Sequence, residues 1–206
     1  MLFDILALIS ALFILLIIRR IADFLPTTIK CMVWWKENIN IDVSLKIRRD
    51  RNLVATSLIL PLCLLTVKLR LYSPEFMTGM HEAARIGTVA GVFLCYMLIR
   101  EGVAAGIRPR KISANIWHAA TTTEYTFFIP LALLLLTVGS IMSIAQASPD
   151  SIKVAMFCIS GTIYLVLLLR KLQIFSSNCN LFSAFSYLCA LEILPTGVLI
   201  TSAVIF

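Results

Sequence analysis

Charged residues are scarce in this chain. Asp, Glu, Lys and Arg make up 14% of its 206 residues, against about 25% in soluble domains. Apolar residues reach 60%, above the roughly 45–50% of an ordinary soluble domain, so that class is excluded. Histidine is scarcer still, with only His81 and His118. The run His81-Glu82-Ala83-Ala84-Arg85 opens like an H-E-x-x-H zinc helix, but Arg85 stands where the second ligand belongs. His118 falls in a loop and reads as an interfacial side chain. The cysteines form no C-x-x-C pair and no Cys/His cluster. Cys63, Cys95, Cys158 and Cys189 lie in apolar runs, where a thiol acts as a small hydrophobe. Ser160-Gly161 lacks the preceding glycine and the later membrane-embedded histidine of an intramembrane serine hydrolase. No phosphate-cradling loop, dinucleotide fingerprint or acidic metal cluster is present. These absences point away from an enzyme and leave no catalytic residue, no metal ligand and no cofactor to assign.

What the chain does have is six apolar runs, at about 2–18, 52–67, 86–99, 125–145, 154–169 and 181–206. Spans of about 20 residues each nearly exhaust the length. The expectation is an all-α fold, a single integral membrane domain over 1–206 built as a six-span transmembrane bundle. The basic residues alternate with the spans. One side holds Arg19, Arg20, Lys30, Lys36, Lys46, Arg48, Arg49, Arg51, Arg100, Arg108, Arg110, Lys111, Arg170 and Lys171. The other holds only Lys68, Arg70, Arg85 and Lys153. The positive-inside rule makes the richer side cytoplasmic, so both termini face outward. A net charge of +7 then reflects topology and contact with anionic lipid on the cytoplasmic face, not nucleic acid. The first run carries only Asp4 before it ends at Arg19 and Arg20, which predicts a retained helix and not a cleaved signal peptide.

The segment 19–51 is the longest connection. Pro26 can open a helix, and Ile29, Met32, Val33 and Lys36 follow at helical spacing beside Trp34 and Trp35. This predicts a short helix in the cytoplasmic interface. Residues 41–48 alternate like a strand, but a lone strand has no partner, so an N-terminal extension of the second span is preferred. The segments 100–122 and 170–182 carry weak amphipathic spacing, through Ile112, Ile116 and Trp117 in one and Leu172, Phe175, Cys179 and Phe182 in the other. Both are expected at the same interface.

Pro61, Pro130 and Pro195 mark alternate spans and read as mild kinks. Ala83, Gly87 and Gly91 recur every four residues in the third span, and Gly139, Ser143 and Ala147 do so in the fourth. Small residues at this spacing let helices approach closely, within the bundle or against a partner.

Glu192 is the deepest charge. A charge at mid-span costs about 2.5–3.5 kcal/mol on the insertion scale, which the surrounding Leu and Ile residues can offset. It should be neutral unless a cation or polar cavity meets it. Its readings are an interhelical hydrogen bond that fixes packing, or a proton or ligand site. Glu124, at the mouth of the fourth span, suits a helix N-terminus, and a polar cavity shared with Glu192 would make it functional. Glu192, Pro195, Glu124 and Tyr187 are therefore the binding or packing candidates, with Gly87, Gly91 and Gly139 as helix-packing positions.

The run Tyr187-Leu-Cys-Ala-Leu-Glu192-Ile-Leu-Pro195, preceded by Arg170-Lys-Leu-Gln-Ile-Phe175 and Phe182, resembles the closing signature of a bacterial integral-membrane family, a domain of unknown function. Trp117 to Glu124 and Phe128-Ile-Pro130-Leu resemble its middle. The resemblance spans roughly residues 50–206. It implies a multi-pass protein of the bacterial cytoplasmic (inner) membrane and supplies no activity. The first functional expectation is a non-enzymatic subunit or scaffold of a larger membrane complex, with a protein partner in the membrane. The second is a small transporter or proton-coupled carrier using Glu192, and the third a lipid-modifying membrane enzyme.

Overall fold

A computed structural model describes residues 2–72, 74, 77, 79–106, 113–177 and 180–205. Arg108, Arg110, Lys111, Ile112 and Cys179 lie outside these residues. The chain is all-helical, with no strand among the described residues. Its elements are α1 (Leu2–Val33), α2 (Trp35–Val43), α3 (Leu45–Lys68), α4 (Glu82–Gly106), α5 (Ala114–Ile144), α6 (Pro149–Ser176), α7 (Leu181–Leu188), a π turn (Cys189–Ile193) and α8 (Leu194–Ile205). Six stretches are long and apolar enough to cross a bilayer: Phe3–Val33, Leu45–Lys68, Glu82–Gly106, Ile116–Ile144, Pro149–Ser176 and Leu181–Thr201. That composition fits a multi-pass membrane protein.

The first helix overturns one expectation. It does not stop at residue 18 but runs through Pro26 to Val33, so Pro26 opens no separate helix. Ile17, Ile21, Phe24, Thr28 and Cys31 are all buried and spaced by three or four residues, so one continuous helical stripe passes behind the exposed Arg19 and Arg20. Pro26 cannot donate to the Ala22 carbonyl, yet the packed stripe keeps the helix intact. The chain breaks at Trp34 and again at Ser44, both in extended conformation. The Asn38 side-chain amide donates to the Cys31 carbonyl at 3.1 Å, which folds α2 back onto the end of α1. The alternation at 41–48 makes no strand, and the extension of the second span expected there holds only from Leu45, since 41–43 belong to α2 and Ser44 breaks the helix.

The later helices also outrun their apolar cores. Helix α5 begins at Ala114, α4 reaches Gly106 and α6 reaches Ser176, so Arg100, Arg170 and Lys171 belong to helices and not to loops. Helix α5 is the axis of the bundle and touches α1, α2, α3 and α6. At Gly139 a methyl group would sit 2.5 Å from Met156 Cε and 3.3 Å from Leu65 Cδ1, so α3, α5 and α6 close tightly there. At Gly87 and Gly91 an added methyl would meet nothing within 4 Å. Both positions are exposed, and among the described residues no neighbouring helix closes on them, contrary to the intra-bundle reading.

The last span widens by one π turn without a break. Leu194 N–H donates to the Cys189 carbonyl, five residues back. Pro195 explains the widening: it lacks an N–H, and its ring would crowd the Leu191 carbonyl in a regular helix. Glu192 lies inside this widened turn.

Candidate functional site: a buried ionic quartet between two cavities

Four helical segments each contribute one charge to a common point. Arg100 comes from α4, Glu124 from α5, Lys171 from α6 and Glu192 from the π turn. Arg100 Nη2 and Lys171 Nζ both donate to Glu192 Oε1, each at 2.5 Å. Arg100 Nη1 pairs with Glu124 Oε2, and Lys171 Nζ lies 3.8 Å from the same oxygen. Glu192, Lys171 and Arg100 retain 1%, 2% and 6% of their exposure; the Glu124 side chain retains 15% and is the most accessible member. Two cations and two carboxylates leave the group neutral. That neutrality is what makes its burial tolerable, because an unpaired ion at this depth would shed its charge or expel the helix.

The placement follows from the helices. Arg100 continues the buried side of α4 seven residues after Phe93, and Lys171 continues the α6 stripe of Ile163 and Leu167. Thr123 and Thr126 of α5 are buried beside Glu124, and the Thr123 hydroxyl donates to the Ala119 carbonyl at 2.6 Å. The π turn rotates Glu192 toward the bundle axis. Trp117, Phe175 and Tyr187 form an aromatic cluster with ring centroids 5.7–6.2 Å apart, and it clamps α5, α6 and α7 together just before that turn. Tyr187 is therefore a packing residue outside the quartet, and Pro195 acts on it through the backbone.

Two cavities meet at these charges. One, of about 310 Å³, is lined by Phe93 and Met97 of α4, Leu131 and Leu135 of α5, and Ile163 and Leu167 of α6, with the aromatic rings of Tyr96 and Tyr164. The other, of about 510 Å³, is lined by Ala104 and Ala105 of α4, Trp117 and His118 of α5, and Phe175 of α6. Arg100, Glu124, Tyr125 and Glu192 line both. On each helix the residues of the first cavity lie on one side of the charge and those of the second on the other. The cavities are thus stacked along the bundle with the quartet between them. The first is almost wholly apolar. The second, a vestibule, is the more polar of the two, with Glu101, Thr121, Thr122 and Lys171 in its wall. Tyr125 donates to Glu101 Oε1 at 3.0 Å across its edge. Below the quartet, Tyr96 and Thr196 hydroxyls share a hydrogen bond of 3.2 Å.

The sequence singled out Glu192 and Glu124 and left open a cavity shared between their spans. It missed Arg100 and Lys171, which stood among the loop charges. A signal was present, since both fall on the helical stripe that the apolar residues before them define. Among the described residues no three His, Cys, Asp or Glu side chains converge as a metal site would require. No protein-family model, no curated protein and no solved structure matches this chain.

Proposed function

We propose that this protein is a small carrier of the bacterial cytoplasmic membrane, with the ionic quartet as the closed gate and coupling site. The observation that carries this reading is the position of the quartet between two cavities. Charges that served packing alone would need no space on either side. Replacing a buried ion pair by apolar residues is often neutral or stabilising, so stability gives no reason to hold four ions here, and an intramembrane ionisable group is by default a functional one. The π turn at Glu192 supports the same view. Such π turns recur at functional sites.

In this reading both termini face outward and the vestibule opens to the cytoplasm. With Arg100 and Lys171 paired inside, the remaining basic residues still divide twelve to four in favour of that side. Helix α2 and the ends of α1 and α5 would lie near the headgroups. Arg48 and Arg49 line an open groove of about 680 Å³ with Asn52 and Thr56, which suits an anionic lipid headgroup. A second reading, subunit of a membrane complex, has the exposed Ala83, Gly87, Gly91 and Cys95 stripe in its favour.

Thiol accessibility separates the two. In a variant without native cysteines, Leu199→Cys places a thiol in the apolar cavity and Ala104→Cys one in the vestibule. A carrier in vesicles should expose them to a membrane-impermeant methanethiosulfonate from opposite faces. A Leu199→Cys thiol unreactive from both faces, beside a reactive Ala104→Cys, would sink the carrier reading.

A further inference from the structure

We infer that the apolar cavity takes a small apolar monocarboxylic acid, and that its carboxylate replaces Glu124 on Arg100 as Glu124 takes up one proton. This rests on the carrier reading and names its substrate class.

Charge decides the sign of the ligand. The quartet is neutral as it stands. Glu192 is held by two cations and fully enclosed, whereas Glu124 is the member nearest to release, in contact with Arg100 and only distantly with Lys171. If Glu124 binds a proton, the group becomes +1 and the Arg100 guanidinium loses its partner. A monoanion restores neutrality. A cation would raise the charge to +2, and a neutral ligand would leave it at +1. One proton and one anion thus enter together, with no net change in buried charge. Arginine suits the exchange, because its planar fork binds any carboxylate as it binds glutamate, and Arg100 Nε has no hydrogen-bond partner in the closed state.

The cavity decides the rest of the ligand. Phe93, Phe128, Leu131 and Leu135 line the same cavity as Arg100 and give it an apolar wall, so the body of the acid must be hydrophobic. A volume of about 310 Å³ lies at the low end of small-molecule sites, roughly 300–1,000 Å³. One ring or a short branched chain fits better than a long acyl chain. Arg100 and Glu101 face Glu124 from α4, Lys171 and Tyr164 from α6, Glu192 from the π turn, and Tyr125 and His118 from α5 itself. Tyr96 of α4 and Arg51 of α3 complete the set through the cavity wall and Tyr125. Glu101 is occupied by Tyr125 and Glu192 by two cations. Glu124 is left as the carboxylate that can exchange.

The test uses the whole protein in nanodiscs and 3-phenylpropionate as probe, with 3-phenylpropanol and 3-phenylpropylammonium as neutral and cationic counterparts, by titration calorimetry. The wild type should bind the acid alone. Its affinity should fall about tenfold per pH unit wherever Glu124 is ionised in the free protein. Titrations in buffers of different ionisation enthalpy should return one proton taken up per acid. Glu124→Gln should bind the acid with no such pH dependence. The neutral double variant Arg100→Gln with Glu124→Gln keeps the Lys171–Glu192 pair and should bind nothing. Tighter binding of laurate than of 3-phenylpropionate would overturn the assignment of a small acid, since the cavity suits one ring or a short chain better than a long acyl chain. Equal binding of the alcohol or amine, or no proton uptake by the wild type, would overturn the inference. If the acid does not bind while Leu199→Cys and Ala104→Cys react from opposite faces, the substrate class fails and the carrier stands. If it binds with proton uptake while those thiols fail, the site is right and the carrier reading is wrong.

Discussion

Glu192 takes its meaning from residues on other helices. Alone at mid-span it would be neutral, and Glu192→Gln would be tolerated as a polar group of the same shape. With Arg100 and Lys171 both on Oε1, the same change leaves two cations facing one carboxylate. Breaking a buried pair by removing one partner costs about 3–5 kcal/mol. We expect Glu192→Gln to lower the thermal midpoint in nanodiscs sharply. Adding Lys171→Met should restore much of it, since the double variant keeps the Arg100–Glu124 pair and removes one charge of each sign. The coupling between the two changes, read as departure from additivity, should be large; additive effects would mean that the ion pair does not form in the membrane. A deep carboxylate was legible in the sequence because an acid inside an apolar run stands out. Its partners were not, because Arg100 and Lys171 sit where a span ends, and at span ends basic residues are ordinarily topological markers. Only tertiary contact distinguishes a cation that snorkels outward from one that turns in.

Helices, unlike the site, were mostly visible in the chain, since hydrophobic runs of this length admit little else in a membrane. Their ends were not. Residues 19–25 and 114–122 read as connections and Pro26 as the start of a separate interfacial helix, but in the fold 19–33 and 114–124 lie on α1 and α5, whose buried faces continue the apolar stripe. The small-residue stripes carry the same lesson with opposite outcomes. Gly139 is a point of closure between α3, α5 and α6, and Gly87 and Gly91 are not. The sequence spacing is identical; what differs is which face of the helix meets a neighbour. Gly139→Leu should overpack the contact with Met156 and Leu65 and cost about 1–3 kcal/mol. Gly139→Ala should cost less, because Met156 Cε is the free end of a flexible side chain. Gly87→Leu and Gly91→Leu should leave the thermal midpoint of the isolated protein unchanged. A marked loss of stability in either would mean that α4 turns this face to another helix of the chain. Loss of a co-purifying protein, with stability intact, would favour the complex-subunit reading.

Orientation is a property of the whole molecule, and it decides which face the vestibule serves. The span Phe3–Val33 has 31 residues, a rise of about 46 Å at ~1.5 Å per residue, and cannot stand upright within ~30 Å of hydrocarbon. Part of it must tilt, bend or project, and the exposed Arg19, Arg20 and Lys30 all lie toward its C-terminal end. They join Lys36, Arg48 and Arg49 on α2 and the start of α3, and Arg20 reaches Asp50 at 3.3 Å. This basic end carries the bundle's charge asymmetry and should stay in the cytoplasm. Cysteines placed at Lys36 or Arg49, in a background without native cysteines, should label with an impermeant maleimide only after the inner membrane is opened. A tag before Met1 should be accessible from the periplasm. Labelling of Lys36→Cys in sealed cells would invert every loop and turn the vestibule of His118 and Glu101 outward. The direction matters for the proposed exchange. With the vestibule inward and the outside more acidic, Glu124 would be charged with a proton from the apolar cavity and discharged through the polar one, so that the acid moves into the cell. An inverted bundle would still carry the acid inward, because the proton gradient sets the direction of coupled movement, but it would load through the polar cavity and release through the apolar one.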